Sequence, residues 1–136
     1  MQVFIAGIMQ GSRQDLHITS QNYRDQIAAL IREHIPQAEI IDPNQIHPDG
    51  VNYDRELAKK TLIEMAQRAA EVNCLIAYVP EASMGTALEM WHAYSAGVPV
   101  YTISPMEENW VIFSLSEQVF PDMAAFGEFV AAGGLV

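Results

Sequence analysis

The clearest indication of the fold is the stretch Cys-Leu-Ile-Ala-Tyr-Val at residues 74–79, which continues through a short loop into Ser-Met-Gly-Thr-Ala-Leu-Glu-Met-Trp at residues 83–91. Six consecutive apolar residues are typical of a central parallel strand that is buried on both faces. Gly97 and Pro99 end the helix that follows, and Val98 to Ile103 forms a second strand candidate. A strand, a helix and another strand in this order predict a βαβ unit.

Strands and helices alternate in the same way along the rest of the chain. This alternation predicts an α/β fold: a single domain with an open, mostly parallel sheet of about five strands and helices on both faces, of the flavodoxin or Rossmann-like type. Residues 42–52 hold two prolines, two asparagines and a glycine, so we expect an irregular, mobile surface loop there. The other predicted elements are strands at Val3 to Ala6 and Glu39 to Ile41, a short edge strand near Val119 to Pro121, and helices from about Ser20 to Pro36, Asp54 to Val72, Asn109 to Gln118 and Asp122 to Ala132, the last with Pro121 at its first turn.

The composition argues against several classes of partner. Seventeen acidic residues against seven basic ones give a formal charge of −10, which repels nucleic-acid polymers and anionic lipids. The longest apolar runs fall short of the ~18 residues that a membrane span needs, so we expect a soluble, cytoplasmic protein with no membrane partner. The single cysteine, Cys74, is predicted to be a core side chain. The four histidines lack metal-ligand spacing, so no metal site is expected.

Two loops are positioned to bind a ligand. In an open α/β sheet, ligands bind beyond the carboxyl ends of the strands, where the strand order reverses. Gly7 to Arg13 follows the first strand and Pro80 to Thr86 follows the central one, and both loops carry small residues that let a ligand approach the backbone. The first loop has too few glycines for a dinucleotide fingerprint, and no Gly-Lys-Ser/Thr is present. A Rossmann oxidoreductase and a P-loop enzyme are therefore disfavoured.

Glu89 is the one acid in its apolar stretch, between Leu88 and Met90. A carboxylate in such surroundings has a desolvation cost unless a partner or a ligand meets it, while the start of a helix favours negative charge. From the residues alone, Glu89 is either a positioned anion, a side chain that extends to solvent, or a capping carboxylate that bonds to the amides of Gly85 or Thr86.

The stretch from Asn73 to Trp91, with Ala-Ser-Met-Gly-Thr-Ala-Leu-Glu after an apolar strand, resembles the nucleoside 2-deoxyribosyltransferase superfamily, which also contains nucleoside 5′-monophosphate N-glycosidases. The opening Val3 to Gly7, the loop with Gly11 and Arg13, and the Ala-Gly-Val-Pro-Val of Ala96 to Val100 agree, so the resemblance covers residues 1–136 as one domain of this type. It implies a retaining enzyme of nucleoside metabolism or nucleotide salvage. Such an enzyme transfers the sugar of a (deoxy)nucleoside or its 5′-monophosphate to another base or to water, without a cofactor.

The resemblance assigns two catalytic residues. Glu89 falls on the family's nucleophile, which displaces the base and forms a covalent sugar ester. The family commonly has an aspartate that handles the leaving base at the start of the central strand, where this chain has Asn73. An amide cannot deliver a proton at neutral pH. Either Asn73 only orients the base, or Asp54, Asp42 or water supplies the proton, and an acid at position 73 is expected to raise activity.

The resemblance also suggests how the substrate is held. Ser83 together with the Gly85 amide favours a 5′-phosphate, as does the helix N-terminus, although Ile8 and Gln10 depart from the phosphate-binding members. The choice between nucleoside and monophosphate therefore stays open. The other predicted substrate-binding residues are Gly7 in the first loop, Met9 at an apolar base pocket, Arg13 as a nearby cation, and Asn109, which would extend into the pocket of a neighbouring subunit.

The sequence is also compatible with two other functions. The first alternative is a non-catalytic nucleotide-binding module on the same fold, and the second is a small assembly subunit with a vestigial pocket. An excess of apolar side chains near two helices predicts a surface patch that a second copy would cover, giving a homodimer or a larger homo-oligomer. The residues of this predicted patch are Trp91, Tyr94, Trp110, Val111, Ile112 and Phe113.

Overall fold

The five predicted strands are present in the computed structural model, which describes residues 1–136. They are β1 (Gln2–Gly7), β2 (Glu39–Ile41), β3 (Cys74–Tyr78), β4 (Val100–Ile103) and β5 (Gln118–Phe120). All neighbouring strands pair in parallel, in the order β2-β1-β3-β4-β5. The predicted α/β class, the strand number and the parallel sheet are therefore confirmed.

Helices cover both faces of this sheet. They are α1 (Asn22–His34), α2 (Pro43–Ile46), α3 (Arg55–Ala69), α4 (Met84–Ser95), α5 (Trp110–Leu115) and α6 (Met123–Ala131). Side chains of α1 and α6 form one core with alternate residues of the strands, and side chains of α3, α4 and α5 form the other. No helix is both long and apolar enough to cross a bilayer.

The central strands show why their sequence is continuously apolar. Val3 and Ile5 of β1 enter the core beneath α1, whereas Phe4 and Ala6 enter the core beneath α3 and α4. Both faces of the strand are therefore shielded from water, as a central parallel strand requires. Cys74 is buried in the first core, which confirms its predicted place, and burial raises the pKa of its thiol to about 12.

Three local predictions are wrong. Residues 42–52 are not irregular: they contain α2 and a 3₁₀ turn at Gly50–Asn52, because Pro43 stands at the start of α2 and the Asp42 side chain accepts from the Asn44 amide. The helix predicted from residue 109 ends at Leu115, before β5. Pro121 lies outside α6, since Asp122 is the residue that caps that helix.

The apolar side chains of the helix α3 are only partly buried. Met65 and Ala69 lie in the core, but Leu57 and Leu62 are 44% and 46% exposed. The apolar surface of this helix therefore extends beyond the core of the chain.

Candidate active site

A cavity of about 260 Å³ opens at the point where the strand order reverses. The chain leaves β1 for β2 on one side and returns to β3 on the other, so the loops after β1 and β3 part at the carboxyl edge of the sheet. Both loops predicted to bind a ligand contribute to the lining, together with the segment after β2 and the first turns of α3 and α4. The predicted site residues that line this cavity are Gly7, Met9, Ser83, Gly85 and Glu89.

Glu89 lies in the second turn of α4, and its Oε2 atom is buried without a hydrogen-bond partner. The capping interpretation is therefore unsupported, because this oxygen accepts from no amide. Burial raises the pKa of the carboxyl to about 8, although the nearby charge of Arg24 lowers it in part, and the charge of Asp42 raises it further. The Glu89 Oε2 atom therefore has no hydrogen-bond partner within the protein.

Arg24 and Asp42 form a buried ion pair beside the carboxyl end of β1. The Arg24 Nη1 atom donates to Asp42 Oδ1 at 2.9 Å and to the Ile5 carbonyl at 3.0 Å, and Nη2 donates to the Gly7 carbonyl at 3.2 Å. The two residues are only 2% and 4% exposed. The pair thus fixes the backbone that leads into the cavity. Sequence reasoning missed it, although Arg24 stands three residues before Ile27 on the apolar face of α1.

Gly7, which lines the cavity, lies against the ring of Tyr23. The Tyr23 hydroxyl donates to the Ile8 carbonyl at 2.9 Å, and its ring stacks on Tyr78 with centroids 4.3 Å apart. A Cβ atom at Gly7 would overlap the Tyr23 ring, so no larger residue fits without a shift. A glycine is therefore required here by the Tyr23 ring, and the approach of a ligand to this backbone stays a prediction.

The start of α4 presents free amides to the cavity. Ser83 precedes the helix, but its hydroxyl bonds to the Thr86 hydroxyl at 2.8 Å rather than to a backbone amide. The first amides of a helix have no partner within it, so those of Met84, Gly85 and Thr86 remain available to an anion or a hydroxyl group. No lysine or arginine lines the cavity.

Asn73 lies at the opposite edge of the sheet. It precedes β3, whose five residues span roughly 16 Å, and its Oδ1 atom accepts from the Gln2 amide at 2.7 Å. The residue is exposed and does not line the cavity. The prediction that Asn73 handles the leaving base is therefore wrong, because the residue before a parallel strand sits far from the carboxyl ends.

Two other predicted site residues also lie away from Glu89. Arg13 is exposed and does not line the cavity. Asn109 caps α5 by accepting from the Val111 amide at 3.1 Å, and it borders a separate cavity of about 270 Å³ that Met90 also lines. Neither residue lines the cavity that holds Glu89.

The acids proposed as proton donors are already engaged. Asp54 caps α3 by accepting from the Leu57 amide at 2.9 Å, and it is exposed. Asp42 is committed to Arg24. Neither carboxyl lines the cavity, so Glu89 is the only carboxyl group that does.

Sequence reasoning also missed His47 and Tyr53, which line the same cavity. The His47 Nδ1 atom lies 2.7 Å from the Tyr53 hydroxyl, and its Nε2 atom is buried without a partner. The position of His47 just after β2, at the carboxyl edge of the sheet, is the signal that points to it. No group of three or more histidine, cysteine or acidic side chains is arranged to hold a metal ion.

No protein-family profile matches the sequence, and no curated protein sequence does. Solved structures do match over almost the whole chain. A 2-deoxyribosyltransferase from the psychrotolerant bacterium Bacillus psychrosaccharolyticus is similar with a TM-score of 0.67 and 15% identity, over 98% of this chain and 95% of that one.

Two further structures are similar. A conserved protein from Enterococcus faecalis V583 matches with a TM-score of 0.67 and 17% identity, over 98% of each chain. A CMP N-glycosidase from Clostridium botulinum matches with a TM-score of 0.55 and 15% identity, over 97% of this chain and 99% of that one. These similarities show that the chain shares the fold of these three proteins, which is the fold that its sequence resemblance predicts.

Proposed function

We propose that the chain is an enzyme that cleaves the bond between base and sugar in a nucleoside or its 5′-monophosphate, and transfers the sugar to another base or to water with retention. Glu89 is the nucleophile. The observation that carries the proposal is the Glu89 carboxyl group, whose Oε2 atom is buried and unpartnered in a cavity at the switch point of the sheet. Solved structures with this fold include a 2-deoxyribosyltransferase and a CMP N-glycosidase.

The chemistry follows from the position of Glu89. Its ionised carboxylate attacks the anomeric carbon as the base leaves, so that an oxocarbenium-like transition state forms beside a negative charge. The covalent sugar ester is then opened from the same face by a second base or by water, which accounts for retention. Because burial raises the pKa of Glu89 to about 8, the carboxyl must lose its proton before it attacks. Arg24 favours that ionised form through its positive charge.

The lining of the cavity suits the two ends of a nucleoside. Met9, Val51 and Met65 supply an apolar surface for a base, whereas the Ser83 and Thr86 hydroxyls and the α4 amides suit the sugar and its 5′ group. A 5′-phosphate would be held by amides and hydroxyls at a helix N-terminus, as such groups often are. This chain therefore supports either a nucleoside or a monophosphate as substrate.

The test is chromatography of the products from deoxynucleosides, ribonucleosides and 5′-monophosphates, each incubated with and without an acceptor base. We expect a free base in every productive reaction, and a new nucleoside when the acceptor is present if transfer competes with hydrolysis. The panel also settles the preferred sugar and phosphate state. Release of no base from any member would overturn the proposal.

A second candidate is a non-catalytic nucleotide-binding module. It is favoured by the absence of a second carboxyl group from the cavity, since a retaining glycosidase usually pairs its nucleophile with an acid. Isothermal titration with the same panel distinguishes the two functions. Binding without base release would support the module, and binding with release would support the enzyme.

We also propose that a second copy of the chain covers the outer surface of α3, α4 and α5. These helices pack side by side and expose many apolar side chains, although Ile112, predicted among them, is buried. Exposed apolar patches of this kind mark interfaces. The exposed members are Leu57, Leu62, Ile63, Leu88, Trp91, Tyr94, Trp110, Val111 and Phe113.

Sedimentation at micromolar concentration tests this assembly. We expect a dimer or larger species, and a smaller species for Trp91→Glu, because a charge would disrupt the apolar contact. Leu16→Glu, a change at an exposed leucine between β1 and α1, is the matched control and should leave the assembly intact. In such an oligomer Asn109 is proposed to meet the neighbouring cavity, so Asn109→Ala should lower activity without dissociating the copies. A monomer with full activity would overturn both claims.

A further inference from the structure

We infer that His47, held by Tyr53, is the catalytic residue that protonates the leaving base and then accepts a proton from the incoming group. This inference rests on the proposed function and adds the acid that the cavity otherwise lacks. The two buried side-chain atoms without a hydrogen-bond partner in the whole protein are His47 Nε2 and Glu89 Oε2. Both residues line the same cavity, although they come from different parts of the chain.

The surrounding contacts fix the orientation of the imidazole ring. The His47 backbone amide donates to the Pro43 carbonyl at 2.8 Å, which ends α2 at this residue. On the other side of the ring, Nδ1 bonds to the Tyr53 hydroxyl at 2.7 Å, and the two rings meet edge to face at 89° with centroids 5.6 Å apart. One ring nitrogen is therefore occupied within the protein, and Nε2 is the nitrogen left for a ligand.

No other side chain in the cavity is placed to do this work. The titratable groups of the lining are His47 and Tyr53, from the segment after β2, and Glu89 from α4. Glu89 is assigned to the sugar, and the Tyr53 hydroxyl is bonded to His47. The Arg24–Asp42 pair acts on Glu89 through its charges but does not line the cavity, and the exposed Asp49, two residues from His47, does not line it either.

The reaction balances with His47 in this role. In the first half of the reaction, Glu89 forms a bond to C1′ while the C1′–N bond breaks. The electron pair of the C1′–N bond goes to the base nitrogen, which takes the proton from Nε2. Nδ1–H continues to donate to the Tyr53 oxygen. In the second half, water attacks C1′, its proton passes to Nε2, and the ester bond breaks with its electrons returning to the Glu89 carboxylate. Each turnover consumes only water, or an acceptor base that loses its own N–H proton in the same way.

Glu89, whose pKa is raised by burial, is also a source of the proton that His47 needs at the start of the reaction. A neutral Glu89 with a neutral His47 holds the same number of protons as a carboxylate with an imidazolium. Moving one proton from the first group to the second therefore produces the reactive pair without exchange with solvent. A reaction that uses this pair requires both residues to line the same cavity, and both His47 and Glu89 do so.

The experiment compares His47→Gln with the parent on two kinds of substrate. Ordinary deoxynucleosides and monophosphates need a proton on the departing base. 7-Methyl-2′-deoxyguanosine and 4-nitrophenyl 2-deoxyriboside carry groups that leave without one. We expect kcat/KM, which reports the steps up to release of the base, to fall by about a hundredfold or more on the ordinary substrates, the range of general acid catalysis, and to change less than about threefold on a probe that the parent cleaves. His34→Gln, an exposed histidine on α1, is the matched control and should change neither.

A second measurement covers the case in which the parent cleaves neither probe. The parent's kcat on an ordinary substrate should fall at high pH, because the one proton that the Glu89–His47 pair holds is then lost, and His47→Gln should lack that descending limb. Melting temperatures close to that of the parent confirm that the variants are folded.

Several results would overturn the inference, and they separate it from the proposed function. If Glu89→Ala is inactive while His47→Gln stays within threefold of the parent, only the role of His47 fails. Equal losses on ordinary substrates and on the probes, or an unchanged pH profile, would show that His47 is merely structural. If the parent releases no base from any substrate, the proposed function fails and the inference fails with it.

Discussion

At the amino edge of the sheet, where the strands begin, polar groups bond to one another in the open, whereas at the carboxyl edge two of them are buried without partners. Gln2 is the centre of the first arrangement: its amide donates to Asn73, and its side chain donates to Glu39 at 2.9 Å. At the other edge, Glu89 and His47 each have one atom that is shielded from water and bonded to nothing.

Buried polar atoms without a partner indicate where a ligand binds in this molecule. An unpaired buried polar atom costs free energy, so most such atoms in proteins find a partner. The amino edge obeys that rule, and the buried pair of Arg24 with Asp42 obeys it at the carboxyl edge. The exceptions are both in the cavity, where a ligand can supply the missing partner.

The largest expected effect is at the unpaired carboxyl. We expect Glu89→Ala to lower kcat for base release at least a thousandfold, about 4 kcal/mol in barrier, because the nucleophile is removed. Glu89→Gln should do nearly the same, since it keeps the shape but not the charge. Glu64→Ala, at an exposed acid of α3, is the control. Turnover by Glu89→Ala within about tenfold of the parent, a change of only ~1.4 kcal/mol, would remove Glu89 from the mechanism.

The next effect concerns the paired carboxyl of the same edge. Asp42→Ala leaves Arg24 buried without its counter-ion, so the free energy of unfolding should fall by about 3–5 kcal/mol in urea titrations at pH 7. Asp15→Ala breaks an exposed pair with His17 and should leave the unfolding midpoint unchanged. A loss no larger than that of the control would mean that water reaches Arg24 and that this edge is less enclosed than its contacts indicate.

Much of this arrangement is predictable from the sequence. The continuous apolar run at residues 74–79 is typical of a strand shielded on both faces, and together with the alternation of strands and helices it predicts the parallel sheet and the position of its binding edge. Glu89 is identifiable because it is the one charge in an apolar helix. Gly7 is identifiable as a loop residue that leaves the backbone open to a ligand, although the Tyr23 ring that requires a glycine there is not identifiable.

The rest depends on contacts between residues distant in sequence. Arg24 meets Asp42 across 18 positions, and nothing in either local pattern identifies the partner. His47 and Tyr53 lie in a segment rich in turn residues, where propensity predicts irregular structure and conceals the short helix that aims the imidazole. Asn73 was misplaced for another reason: the resemblance assigned a role to the start of a strand, and the geometry of a parallel sheet puts that position at the wrong edge.

A smaller effect is expected on folding stability, and it measures what the unpaired Glu89 carboxyl costs independently of catalysis. Burial raises the pKa of Glu89 to about 8 from a usual value of 4.5. Below pH 4.5 the group is protonated in both states; between pH 4.5 and 8 the unfolded chain ionises and the folded one does not, so the parent loses stability as the pH rises. Glu89→Gln lacks this loss. Its advantage over the parent should grow from near zero at pH 4.5 to the order of a few kcal/mol at pH 8.5.

Thermal unfolding of both proteins across this range measures that difference, and comparing the two cancels the contributions of all other titrating groups. Glu64→Gln is the control and should follow the parent at every pH. A Glu89→Gln advantage that is constant with pH would contradict a raised pKa, and would place the carboxyl in contact with water.

The smallest effect is expected at the amino edge. The family resemblance alone predicts that Asn73→Asp restores an acid and raises base release, whereas the position of Asn73 predicts no gain, because β3 separates it from the cavity. We expect kcat/KM within about twofold of the parent, less than ~0.5 kcal/mol in barrier, and the same pH profile, because a carboxylate at this position can still accept from the Gln2 amide. His47→Gln, measured beside it, should alter that profile and so shows that the assay detects a lost proton donor. A tenfold rise in rate for Asn73→Asp, or a shifted pH optimum, would mean that the amino edge communicates with the site and that the contrast between the two edges fails.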